Sequence, residues 1–127
     1  MKKNSGAQAG DVLILGKGLG VGVLAAALKK NILTDAGYAQ MIAATTQLNK
    51  VGSELSALDG VHALTDVTGF GLLGHLLEMC RGSNLTAEVK FDQVPVLSEA
   101  LPLAQQGIGP GAIDRNLASY GHEVDFA

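Results

Sequence analysis

Thr65-Asp66-Val67-Thr68-Gly69-Phe70-Gly71-Leu72-Leu73-Gly74-His75 is the stretch that decides how this chain is read. An apolar, β-leaning run, Val61 to Leu64, leads into it, and an apolar-periodic run, Leu72 to Cys80, leaves it. The order predicts a strand, a glycine turn and a helix start. A glycine turn at a helix N-terminus presents backbone N–H groups and the positive end of the helix dipole, which suits phosphate. The carboxylate of Asp66 stands just before that turn. An acid beside a phosphate site repels the ligand unless a divalent cation lies between them, and Mg²⁺ joins one or two carboxylates to substrate phosphates. The stretch therefore reads as half of a metal–nucleotide site.

Working outward, the 127 residues suffice for one domain with a modest core. Hydrophobic residues make up 47% and charged residues 17%, which argues against disorder. Aromatics are only 4% with no Trp, so the core must rest on Leu, Val, Ile and Ala. A formal charge of −3 argues against a nucleic-acid binder, which would carry a basic face. No apolar run approaches the roughly 20 residues of a membrane span, and residues 1–9 have no apolar signal-peptide core. One cysteine excludes an internal disulfide and fits a reducing, cytoplasmic compartment.

Residues 1–10 are expected to form a flexible lead-in, with the domain proper over 11–127. Asp11 to Leu15 reads as a buried strand, followed by the glycine-rich Gly16-Lys17-Gly18-Leu19-Gly20-Val21-Gly22. That loop fails as a P-loop, whose spacing would need glycine at Asp11 and Ser or Thr at Gly18. Val21 to Lys30 has high helix propensity, with its lysines at the negative end. Thr34 or Asp35 caps a second helix running to Leu48, whose continuation, Val51 to Leu58, is weakened by Gly52. In the helix after the central turn, Phe70, Leu73, Leu76, Leu77 and Cys80 share a face expected to meet the core. His75 reads as a solvated or satisfied histidine, and Arg81 to Asn84 end the helix. Leu85, Ala87, Val89 and Phe91 alternate with polar residues, which predicts a half-exposed strand. A short helix over Leu97 to Gln106, a second over Asp114 to Tyr120, and a strand beginning at Glu123 complete the expectation.

Gly69-Phe70-Gly71-Leu72-Leu73-Gly74 also matches G-x-G-x-x-G, and Asp92 lies about 20 residues on, where a ribose-binding acid belongs in a dinucleotide site. Against an NAD(P)-binding oxidoreductase stand Thr65, Asp66 and Thr68, because the first strand of such a unit is buried and apolar up to its first glycine. From the residues, three readings stay open: a metal-bridged phosphate site, a dinucleotide site using Gly69, Gly71, Gly74 and Asp92, and a structural strand–turn–helix joint.

At these residues the chain resembles the selenophosphate synthetase (selenide, water dikinase) family, within the superfamily of aminoimidazole ribonucleotide synthetase. The resemblance runs through Gly10 to Leu15, Lys17 to Gly20, Leu64 to His75, and Arg115 to Tyr120 following Gly109-Pro110-Gly111. It implies an α+β fold, a three-layer α/β/α C-terminal domain truncated at its C-terminal end. It implies that ATP, selenide and water give selenophosphate, AMP and orthophosphate, with Mg²⁺ required and ATP as substrate. The metal-binding residue it assigns is Asp66, and the nucleotide-contacting residues are Thr65, Thr68, Gly69, Phe70, Gly71 and Asn116. The implied partners are an N-terminal domain of the same protein, carrying the catalytic residues, and a second copy in a homodimer. Cys80 does not match the family's nucleophile, and Gly16 stands where a threonine is expected. The chain alone is thus expected to have weak or no catalysis. A non-catalytic interaction domain of the same fold is the alternative of a different class.

Overall fold

The computed structural model describes residues 3–126. They contain six α-helices: α1 Val21–Lys29, α2 Asp35–Thr46, α3 Val51–Leu55, α4 Gly71–Ser83, α5 Ala100–Gln105 and α6 Ala112–Tyr120. Two single 3₁₀ turns, Phe91–Gln93 and Gly121–Glu123, complete the regular structure. The helices divide between two compact units. One comprises residues 14–48 and 89–111 with α1, α2 and α5; the other comprises residues 3–13, 49–88 and 112–126 with α3, α4 and α6.

The first unit is organised by apolar packing. Leu24 of α1, Met41 of α2 and Ala100 of α5 form its buried centre, with Val21, Val23, Leu33, Leu97 and Leu103 packed against them. The sequence builds these helices from local signals. Thr34 caps α2 by accepting the Gly37 N–H at 3.0 Å. At the other end of α2 the hydroxyls of Thr45 and Thr46 bond back to Met41 and Ile42 carbonyls. The ammonium of Lys17 donates to the carbonyls of Ala44 and Gln47 there. A cation on the last, orphaned carbonyls opposes the negative end of the dipole and stops the helix at Thr46, short of the expected Leu48. Gly20 precedes α1 with φ of +125°, and a Cβ there would stand 2.5 Å from that of Ala100. Only glycine lets α1 and α5 approach this closely.

The second unit has a sparser interior, in which Leu76 and His75 of α4 are the buried side chains. Asn84 ends α4 in the left-handed conformation, with the Leu85 N–H returning to the Cys80 carbonyl at 2.9 Å, a Schellman arrangement. Gly82 sits inside the helix, where a Cβ would come within 2.9 Å of Ser5. Residues 3–10, expected as a flexible lead-in, bond to this unit through Leu64 N–H to Lys3 O and Ala7 N–H to Ser83 Oγ.

The strands expected over Asp11 to Leu15, Val61 to Asp66, Leu85 to Phe91 and from Glu123 do not form among the described residues. A strand exists only as part of a ladder, because its N–H and C=O groups need a neighbour. The pairing present is a single parallel bridge, Leu19 with Val96. The run expected to be a buried strand is instead open to solvent, with Val12 83% and Ile14 89% exposed. Phe70, placed on the core face by its spacing, is 58% exposed. It occupies the turn before α4, so helical spacing does not govern it. The helix expected over Leu97 to Gln106 is shorter, and Pro102 lies in its first turn, where no intrahelical donor is required.

Candidate functional site

The glycine turn closes as a hydrogen-bonded β-turn, the Gly71 N–H donating to the Thr68 carbonyl at 2.9 Å. Gly71 has φ of +77°, a conformation glycine adopts at no steric cost. α4 starts there without a side-chain cap, so its first-turn N–H groups have no partner of that kind. Asp66, Thr68, Gly69 and Phe70 are exposed, while Thr65 is half-buried. The Thr65 hydroxyl donates to the Asp66 carbonyl at 3.3 Å. Thr68 turns toward the helix, its Oγ1 lying 2.9 Å from His75 Nε2. His75 Nδ1 lies 3.6 Å from Glu78 one turn on. The histidine is thus hydrogen-bonded at Nε2 with a carboxylate near Nδ1, and the Phe70 ring stands edge-on to it at 5.8 Å.

Helix α6 holds the turn from one side. Asn116 Nδ2 donates to the Gly69 carbonyl at 2.8 Å, and the Tyr120 hydroxyl donates to the Phe70 carbonyl at 2.7 Å. Residues i and i+4 share a helix face, so one face of α6 grips two successive peptides. Both peptides are trans, and in a trans peptide C=O and N–H point in opposite directions. With the Gly69 carbonyl facing α6, the Phe70 N–H of the same peptide faces away from it. Gly74 lets Tyr120 lie down: a Cβ at Gly74 would come within 3.4 Å of the Tyr120 ring and 2.9 Å of Phe70 Cβ.

The structure thus brings Thr68, Gly69, Phe70, Gly71 and Asn116 together in one unit, with Asp66 two residues away along the chain. Asp92 belongs to the other unit, in the 3₁₀ turn Phe91–Gln93. The strand expected between that helix and Asp92 does not form among the described residues. Tyr120 and the pairing of Thr68 with His75 are not among the sequence expectations. Spacing carried the signal for the first, since Asn116 and Tyr120 are four apart on a predicted helix. For the second, His75 falls one helical turn into α4, back over the turn that precedes it.

Elsewhere in this unit, Asp11 accepts from the Gln8 N–H at 2.8 Å and lies 2.8 Å from His62 Nδ1. The Gln8 bond holds the Asp11 carboxyl below its ordinary 3.8, with slight desolvation opposing and His62 assisting. Arg81 pairs with Glu123. Among the described residues no three His, Cys, Asp or Glu side chains gather to hold a metal ion. Asp66 offers one exposed, hard carboxylate. That donor set fits Mg²⁺ when phosphate oxygens and water supply the remaining ligands, as this ion ordinarily arranges. No helix among the described residues is long and apolar enough to cross a membrane.

The family described as AIR synthase related protein, C-terminal domain, matches residues 8–109. The chain is 64% identical over 124 residues to the selenide, water dikinase of Paraburkholderia xenovorans (strain LB400), covering 98% of this chain and 35% of that protein. It is 61% identical over 127 residues to that of Pseudomonas straminea, covering 100% of this chain and 36% of the relative. With that of Rhizobium meliloti (strain 1021) it shares 53% identity over 124 residues, 98% of this chain and 36% of the relative. The chain therefore spans about a third of the length of the curated relatives it matches.

Proposed function

We propose that this chain, which belongs to the family of AIR synthase related protein C-terminal domains, serves as the ATP·Mg-contributing C-terminal part of a selenide, water dikinase. The observation that carries this reading is the identity of 61% across the whole chain to a relative bearing that name. The reaction would convert ATP, selenide and water into selenophosphate, AMP and orthophosphate. In this reading Asp66 holds Mg²⁺, which when bound offsets the triphosphate charge. Thr65 orders the backbone at Asp66, and Thr68, Gly69, Phe70 and Gly71 form the wall that the phosphates meet. Phosphoryl transfer is catalysed mainly by such positioning and charge stabilisation.

The catalytic residues would come from an N-terminal part of the protein, so this chain supplies binding without a nucleophile. The α+β, three-layer α/β/α architecture belongs to the same proposal. Its sheet would use 11–15, 61–66 and 85–91 as strands, and the exposure of Val12 and Ile14 supports a missing ladder partner. A homodimer in the cytoplasm is the assembly that accompanies it. The test is a chimera in which this chain replaces the matching residues of the Pseudomonas straminea relative. Selenide-dependent conversion of ATP to AMP by the chimera, abolished by Asp66→Asn, supports the reading. An active chimera indifferent to Asp66→Asn removes the metal role, and an inactive, folded chimera removes the function.

A further inference from the structure

We infer that Asn116 and Tyr120 are positioning residues for the phosphate-facing turn: Asn116 holds the Gly69–Phe70 peptide so that its Phe70 N–H faces away from α6, toward the bound nucleotide's phosphate, and Tyr120 holds the next peptide, whose N–H closes the turn. The inference rests on the dikinase reading of the turn and deepens it. Three observations carry it. The two donors grip successive carbonyls, Gly69 and Phe70, at 2.8 and 2.7 Å. The trans peptide between Gly69 and Phe70 then fixes its N–H on the side away from α6. The next N–H, that of Gly71, is spent on Thr68 O, and its peptide's carbonyl is the one Tyr120 holds, so the turn is fixed on both sides of Phe70. Nothing local would otherwise hold this peptide. A Cβ on Gly69 would meet nothing within 4 Å, and a glycine carries little steric barrier to a peptide flip, which would turn a carbonyl toward the phosphate in place of the N–H. Pre-organised donors contribute because they need no reorganisation when charge arrives.

The pair also separates bracing from packing. Tyr120 lies against Gly74 through its ring and grips the turn through its hydroxyl. Tyr120→Phe therefore keeps the packing and removes only the grip. Asn116→Asp keeps the shape and removes the N–H donor, while Asn116→Gln retains a donor on a longer arm.

The test uses the chimera described above and measures KM for Mg·ATP, kcat, and the melting temperature. A lost hydrogen bond to an oriented peptide is expected to raise KM for Mg·ATP roughly three- to tenfold, with kcat for bound nucleotide changing less than twofold. Asn116→Asp should raise KM at least as much as Tyr120→Phe, and Asn116→Gln should recover part of the loss. The Phe70 amide resonance, followed in the 127-residue chain, should shift in Tyr120→Phe while that of Leu24 stays in place. An unchanged KM in both Tyr120→Phe and Asn116→Asp overturns the inference, and so does a loss matched by a falling melting temperature without rescue by Asn116→Gln. If the unmodified chimera is folded and turns over no ATP, the dikinase reading falls and this inference falls with it; if it is active, the variants judge the inference alone.

Discussion

The two compact units of this chain are held by different physics. The unit built from α1, α2 and α5 has an apolar centre, with Leu24 wholly buried and Met41 and Ala100 beside it. The unit that carries the glycine turn buries Leu76 and a histidine, and is tied mainly by polar contacts. Asn116 and Tyr120 grip the turn, Thr68 meets His75, and Arg81 pairs with Glu123. Apolar burial gives stability without caring much about direction, whereas hydrogen bonds contribute about 1 kcal/mol each but fix orientation. The contrast teaches that this chain keeps its bulk stability apart from the region that must present groups at defined angles.

The sharpest way to break that contrast is to empty the apolar centre. Leu24→Ala should cost about 2–5 kcal/mol, read as a lowered midpoint in urea unfolding of the first unit. Leu76→Ala in the second unit should fall at the lower end of that range, because its surroundings are more open. Equal losses would mean that the second unit has an apolar core after all. Next in size is Gly74→Ala. A Cβ at 2.9 Å from that of Phe70 should cost about 1–3 kcal/mol and should displace Tyr120. Tolerance of the alanine, seen as an unchanged melting temperature, would show that α4 and α6 are not in close register there.

The smallest effect is expected at Asp11. Its carboxyl is held below the ordinary value by the Gln8 N–H, so the folded state binds its proton less readily than the unfolded chain. The stabilisation is present above the unfolded value and fades as pH falls through it toward the folded one. Asp11→Asn should therefore lower the melting temperature slightly at neutral pH and leave it unchanged well below about pH 4, which flattens the acid limb of the profile. The group is exposed, so the change should be slight. A loss that persists undiminished at low pH would assign Asp11 another role.

The same division governs how much could be read from the sequence. Helices announced by local signals were legible: the Thr34 cap, the lysines at the end of α1, Asn84 after α4, and the spacing through Leu76. The turn that carries the candidate site was legible too, because glycines opening an apolar-periodic run mark a helix start, and α4 begins at Gly71. The strands were not. Val12 to Ile14 and Leu85 to Val89 carry strand composition, but composition cannot supply the neighbour that makes a ladder, and here these segments stand unpaired. The helix-period rule misplaced Phe70 because it extended the α4 spacing one residue beyond the helix. Lys17, in a loop that resembled a phosphate loop in composition, has its ammonium on the carbonyls ending α2, a pairing between residues about 30 apart that no local rule reveals. Tyr120 was missed for a related reason: its importance lies in what its hydroxyl reaches across 50 residues.

The central claim is that the turn from Asp66 to Gly71 is a metal-dependent phosphate site. The most direct measurement is an amide-NMR titration of the 127-residue chain with ATP, run with and without Mg²⁺ and repeated with Asp66→Asn. The account expects shifts confined to Asp66 through Leu72 that require Mg²⁺. Asp66→Asn should weaken them on the order of tenfold or more while leaving the melting temperature within about 1 kcal/mol equivalent of the unmodified chain. Shifts of equal size without Mg²⁺, or with Asp66→Asn, would contradict it.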